Sequence, residues 1–183
     1  MAEPLDLHRL SLAEIARAVA EQRLPPVERW NPTHCGDSEM RIARDGRWFH
    51  QGAPINRVEL VRLFATILRR EEDGSYVLVT PGEKLSIRVE DLPFLAVEVR
   101  AEGEGAAQRL AFRLNTDELV VADAAHPLVF ATGADGPEPR LHVRGGLEAR
   151  VSRALWYELA DLALAADPPG LWSADAFFPL PPA

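Results

Sequence analysis

The chain has 183 residues, the size of one domain or of two small, closely packed ones, and its 47% hydrophobic and 26% charged residues make an ordinary globular composition. A net charge of −8 argues against a nucleic-acid surface, and no stretch reaches the roughly 18 continuous apolar residues of a membrane span, so neither nucleic acid nor membrane is expected as a partner. Cys35 is the single cysteine, which excludes an intrachain disulfide, and the opening MAEPLDLHRL lacks a leader's basic-then-apolar pattern; both fit a cytoplasmic location.

Ser11 with Glu14 forms a capping box for a first helix, whose apolar face is Leu12, Ile15, Ala16, Val19 and Ala20 and which ends at Pro25-Pro26. A Pro-rich passage through Trp30 and Asn31-Pro32 then leads to His34-Cys35-Gly36-Asp37. Asp45-Gly46 is a two-residue turn signal joining strands Glu39 to Ala43 and Arg47 to His50. A central helix follows, with Asn56 as N-cap, Glu59 completing a box, and apolar residues over so much of its circumference (Val58, Leu60, Val61, Leu63, Phe64, Ala65, Ile67, Leu68) that most of it should be covered. The strands Tyr76 to Thr80 and Lys84 to Val89 flank Pro81-Gly82, and Leu95, Val97 and Val99 alternate in another.

Gly103-Glu104-Gly105 is the main pause. It divides the chain into an N-terminal helix and linker (1–34), a first unit (35–102) and a second unit (106–183). Four strands are expected in the second unit, at Gln108 to Leu114, Glu118 to Ala122, Leu128 to Thr132 and Arg140 to Arg144, with Ala134 to Pro139 as a turn-rich spacer. Gly145-Gly146 links tightly to Leu147 to Val151, Ser152 caps a last helix carrying Leu155, Trp156, Leu159 and Leu162, and the aromatic tail Leu171 to Pro179 should dock on the body. Two internal echoes suggest duplication: Arg44 to Ile55 resembles Thr116 to Leu128, and Val77 to Thr80 with its turn and strand resembles Leu141 to Arg144 with Gly145-Gly146. The expected fold class is α+β, two related units of curved antiparallel sheet wrapped around or packed on helices.

Little in the sequence signals chemistry. His34, Cys35 and Asp37 are closely spaced but lack the paired spacing of a structural zinc site, and a small buried cysteine is the plainer reading. Glu90 and Asp91 are adjacent in an extended segment and point to opposite faces, so they do not form an acid/base dyad. Glu98 should lie on a solvent face. Arg113, Arg144, Arg150 and Arg153 sit where a bidentate grip on an anion is feasible, although solvated ion pairs explain them as well. Lys84 is the only lysine among many arginines, a compact ammonium that an arginine fork does not replace. Phosphate loops, dinucleotide fingerprints, nucleophile elbows and HExxH helices are all missing, and no metal or cofactor is expected.

The ordered set Cys35-Gly36, Met40-Arg41-Ile42, Arg44 to Phe49, Gly52 to Ile55, Leu60 to Phe64, Asp73-Gly74, Tyr76 to Pro81, Glu83-Lys84 and Val89-Glu90-Asp91 resembles the bacterial family known as domain of unknown function 1285. The resemblance continues through Phe112-Arg113, Asn115, His126-Pro127-Leu128, Leu141 to Ala149, Trp172-Ser173 and Phe177-Phe178-Pro179, and covers nearly everything after residue 30. It implies a pair of repeated α+β motifs in which curved strands wrap helices. It implies no reaction and no catalytic residue, only a suggested part in signalling or small-ligand sensing. The polar positions that match the family and lack a structural task are Cys35, Asp37, Arg41, Lys84, Glu90, Asp91, Arg113 and Arg144.

The leading expectation is therefore a regulatory module that binds a small anionic ligand near the interface of its two units, with Lys84, Arg113 and Arg144 as cations and Glu90 or Asp91 orienting them. The alternatives are a protein-interaction module without a ligand, and an enzyme using Cys35 or a carboxylate.

Overall fold

The computed structural model describes residues 6–182; the first five residues, part of the stretch read for a leader, and Ala183 lie outside it. In chain order the elements are α1 (Leu12–Glu21), β1 (Cys35–Ile42), β2 (Trp48–His50), β3 (Ala53–Pro54), α2 (Val58–Thr66), β4 (Leu68–Arg70), β5 (Tyr76–Val79), β6 (Lys84–Val89), β7 (Phe94–Glu102), β8 (Arg109–Leu114), β9 (Leu119–Val121), β10 (Leu128–Gly133), β11 (Gly136–Arg144), β12 (Leu147–Val151), α3 (Arg153–Leu164), β13 (Gly170–Ser173) and β14 (Ala176–Pro179). The fold is α+β.

Two six-stranded sheets, ordered β3-β2-β1-β6-β5-β4 and β10-β11-β12-β7-β8-β9, repeat one topology. In each, the first strand pairs with the second on one side and, in parallel, with the sixth on the other: β1 with β6, and β7 with β12. The sheets are therefore mixed, antiparallel except at the central pair. The echo of β5–β6 in β11–β12 is in true register, and Gly145-Gly146, at φ 53° and 78°, makes the two-residue turn of the second copy. The other echo matched the β1–β2 turn to the β8–β9 turn and was one hairpin out of step. Between its third and fourth strands the first copy has α2, whereas the second has only a loop.

One compact unit comprises Arg23–Pro93 and Gly145–Leu147; the other comprises the segment up to Gln22, Phe94–Arg144 and Glu148 onward. This division differs from the one expected at Gly103-Glu104-Gly105. That stretch is the turn between β7 and β8, inside the second sheet, and β7 belongs to the second copy because its ladder partners are β8 and β12. The N-terminal helix also belongs with the second sheet. Its Ile15, together with Leu7, packs on Ala111 and Leu119. The Ser11–Glu14 box forms as read, with the Ser11 N–H donating to the Glu14 carboxylate at 2.7 Å. α3 is capped by Ser152 and buries Leu155, Leu159 and Ala163.

The central helix departs most from expectation. α2 starts at Val58 after Arg57, without a side-chain cap from Asn56, and stops at Thr66 because Leu68 to Arg70 pair with Tyr76 to Leu78 as β4. The ladder and the complete burial of Leu68 outweigh a helical propensity that would have carried the helix on. Trp48 stacks on Phe64, but only Ala65 of the helix is fully buried, and Val58 and Leu63 remain 49% and 58% exposed. The helix is covered on one side. Likewise, residues 136–139 of the supposed spacer are strand, extending β11.

Candidate functional site

The first-unit candidates other than Asp91 share one face of the sheet. Across the parallel seam Cys35 stands beside Lys84, Asp37 beside Ser86, and Arg41 beside Arg88, so these side chains and that of Glu90 project to the same side by the alternation of a strand. At the β1–β6 seam this face is polar, with Cys35 and Asp37 exposed and Arg41 and Lys84 half-buried. Asp37, Arg41, Glu90 and Lys84 each have a local partner. Asp37 accepts the Glu39 N–H at 2.8 Å inside a bulge of β1. Arg41 pairs with Glu90 and lies 4.2 Å over the Phe49 ring, while Glu90 also accepts the Arg44 N–H at 3.1 Å. The Arg44 N–H, then the Arg41 guanidinium, hold the Glu90 carboxyl below its ordinary range. Lys84 Nζ is 4.0 Å from Glu71, whose other oxygen takes two hydrogen bonds from Arg69, and Arg69 in turn donates to the carbonyls of Val27 and Trp30 at 2.7 Å. Lys84 thus belongs to a network that fastens the Pro-rich linker. Asp91 is half-buried. Among the described residues no group of three or more His, Cys, Asp or Glu could hold a metal ion, and Cys35 is a free thiol that is exposed rather than buried.

In the second unit, Arg113 is held by Glu98 at 2.8 Å and Asp117 at 2.9 Å, all three largely buried. Burial works to lower the Arg113 pKa, yet the hydrogen bonds to Glu98 and Asp117 outweigh it and raise the group above its ordinary value. Arg144 contacts Glu118 at 3.2 Å and lies 5.5 Å from the Phe94 ring. An anion at Arg113 or Arg144 would have to compete with a carboxylate already in place.

Glu98 corrects the sequence reading. A bulge between Ala96 and Glu98 shifts the register of β7 against β8 and reverses the alternation, so that Phe94, Ala96 and Val99 point into the core rather than Leu95, Val97 and Val99. Glu98 is left on the face where α1 and the Leu7–Arg9 turn pack, accepting the Leu7 N–H at 2.8 Å. Arg100, on the same face, donates to the carbonyls of Leu7 and His8 at 3.1 and 3.0 Å.

This packing frames a cleft that the sequence did not signal. The pairing of β7 with β12 covers only Phe94 to Ala96, because β12 ends at Val151 and the chain turns into α3. Past that point one side of β7 lies beside α3 and the Leu7–Arg9 turn, and a cleft of ≈ 390 Å³ opens among His8, Val99, Arg100, Glu158, Leu159 and Leu162. Its apolar floor is Val99, Leu159 and Leu162. Arg100 and His8 stand on one side of it and Glu158 on α3. Among the described residues no helix is long and apolar enough to cross a membrane.

Comparison with known proteins places this architecture. The model of the N-terminal domain of a domain of unknown function (DUF1285) matches residues 25–92, and that of the C-terminal domain, a protein of unknown function (DUF1285), matches residues 93–180. The crystal structure of a DUF1285 family protein from Silicibacter pomeroyi DSS-3 is 47% identical over 93% of this chain and 94% of that one, with a TM-score of 0.80. A DUF1285 family protein from Shewanella baltica OS155 is 26% identical over 67% of this chain and 90% of that one, with a TM-score of 0.54. No functionally curated protein matches the chain. The repeated topology, the division between residues 92 and 93 and the extent of these matches make the chain a member of the DUF1285 family.

Proposed function

We propose that the protein is a cytosolic regulatory module that binds a small amphipathic anion, and that the anion occupies the cleft between β7, α3 and the Leu7–Arg9 turn. The observation that carries this reading is the cleft, ≈ 390 Å³ with an apolar floor and Arg100 and His8 at its rim, within the range of about 300–1,000 Å³ typical of small-molecule sites. Its polar groups are Arg100 and His8 on one side and Glu158 on α3. An acyl or aromatic body would lie on Val99, Leu159 and Leu162, and a carboxylate or phosphate would meet Arg100. Arg100 is itself partnered, by Glu102 at 3.3 Å and by the carbonyls of Leu7 and His8, just as Lys84, Arg113, Arg144 and Arg41 each face a carboxylate; what favours Arg100 is its place beside the apolar floor, and Cys35, Asp37, Glu90 and Asp91 offer no cation.

A thermal-shift screen against organic acids, phosphorylated metabolites, nucleotides and cyclic dinucleotides tests the reading. A ligand at about 100 times its Kd adds about 2.7 kcal/mol, which raises the Tm of a chain of this size by about 5–10 °C. The shift should vanish in Leu162→Arg, which fills the cleft from an exposed position, and persist in Lys84→Met. A hit lost in Lys84→Met and kept in Leu162→Arg would move the site to the first sheet, and a flat screen would overturn the ligand reading. The second reading, an interaction module, is favoured by one open sheet edge.

A further inference from the structure

The two sheets have four edge strands, β3, β4, β9 and β10, and an open edge invites another chain to pair with it unless something blunts it. Three are blunted. β3 is two residues long and ends in Pro54. β4 has three residues, two of them arginines, and the 3-10 turn Val27–Arg29 lies against it, tied down by the hydrogen bond from Arg69 to the Val27 carbonyl. β9 is closed by one side chain: Gln22 donates its amide N–H to the Leu119 carbonyl at 2.9 Å and accepts the Leu119 N–H at 2.7 Å. The fourth edge, β10, is six residues long, Leu-Val-Phe-Ala-Thr-Gly, with neither charge nor proline.

The register of β10 defines what that edge offers. The His142 N–H donates to the Pro127 carbonyl, so Val129, Ala131 and Gly133 continue the hydrogen-bonded pairs with Arg140, Glu138 and Gly136. The main-chain groups of Leu128, Phe130 and Thr132 therefore point away from the sheet. A strand that runs antiparallel past them with Phe130 opposite its own counterpart places Leu128 opposite Thr132, and the arrangement repeats when the two strands are exchanged. The edge is complementary to itself. The side chains agree: Val129, 49% exposed, would meet Ala131 on one face, and Phe130, 5.6 Å from Trp156, would meet Phe130 on the other, with no like charges opposed. The turn of 100° per residue puts Tyr157 and Leu164 about 100° and 80° around α3 from Trp156, away from the buried Leu155, Leu159 and Ala163, where they stand 63% and 67% exposed.

We propose that β10 is a self-association edge, and that its occupant is the β10 of a second copy of this chain, joined antiparallel about a two-fold axis at Phe130 into one continuous sheet, with Tyr157 and Leu164 of the two copies covering each other. The proposal is independent of the cleft. Analytical ultracentrifugation of the full chain tests it at about 100 μM, well above the micromolar Kd of a weak interface. The expected result is a species of twice the 20.2 kDa chain mass. Thr132→Pro removes one outward N–H per copy while leaving the β10–β11 ladder intact, as Pro137 and Pro139 do within β11, whose nitrogens face away from β10. It should weaken association by about 100-fold. Val129→Lys, at an exposed position, should do the same, and both variants should keep the circular dichroism spectrum and Tm of the parent. A parent that sediments as a monomer, or a dimer that survives both substitutions, overturns the proposal.

Discussion

Ser173 gives the sharpest test of how the C-terminal tail is held. Its hydroxyl is fully buried between β8 and the end of β9, donating to the Ala122 carbonyl at 2.6 Å and accepting the Leu110 N–H at 2.9 Å. The Ala122 N–H still reaches the Leu110 carbonyl directly at 3.0 Å, so the hydroxyl has replaced one of the two bonds of that pair and pins β13 to the sheet. Ser173→Ala leaves two buried main-chain groups without a partner. At about 1–3 kcal/mol for each orphaned group the loss is about 2–6 kcal/mol, and at roughly 2–4 °C per kcal/mol the Tm falls by about 4–24 °C. Differential scanning calorimetry with matched urea denaturation reads both quantities. A fall under about 2 °C would refute the reasoning, because it would mean that β8 and β9 close their ladder directly and the tail is held by Leu171, Phe178 and its hydrogen bonds with Ala106 and Gln108.

Two further outcomes follow from single contacts. Gln22→Ala removes the cap on Leu119, so amide exchange at Leu119 should quicken by about 10-fold with little change elsewhere; unchanged exchange would mean that the β9 edge is shielded by something else. Glu90 has a lowered pKa in the folded chain, so its contribution to stability is complete above the ordinary carboxylate range and is lost as pH falls through the folded value. Carboxyl NMR titration should show Glu90 protonating below an ordinary Glu. Arg41→Gln should raise its pKa only part of the way, since the Arg44 N–H is the larger cause, and full return to the ordinary value would show that Arg41 acts alone.

Much of the secondary structure was legible because its signals are local. The Ser11–Glu14 box, the Ser152 cap, the Asp45-Gly46 and Gly145-Gly146 turns and the bounds of β6 each depend on residues within a few positions of one another. The docked tail was legible too, since Leu171 and Phe178 are too apolar to be left in water. The site was not. Charged side chains named from type and position proved to be one half of pairs, and the other half came from β7 in the case of Glu98 for Arg113 and from the turns between strands in the case of Glu71 for Lys84, Asp117 for Arg113 and Glu118 for Arg144.

The sequence by itself determined the α+β class, the caps and turns, and half of the evidence for a repeated plan, all carried by spacing along the chain. Only the tertiary structure decided the phase of β7, the end of α2 and the strand partners. One inserted residue at the Ala96–Glu98 bulge reverses which side chains are buried, and no periodicity reveals that without the opposing strand. The same limit hid the cleft, which exists because β12 stops while β7 continues, and the open β10 edge, which is open only because of where the ladder ends. Strand pairing joins residues far apart in sequence, so its register is fixed by the packed sheet and not by the strands that enter it.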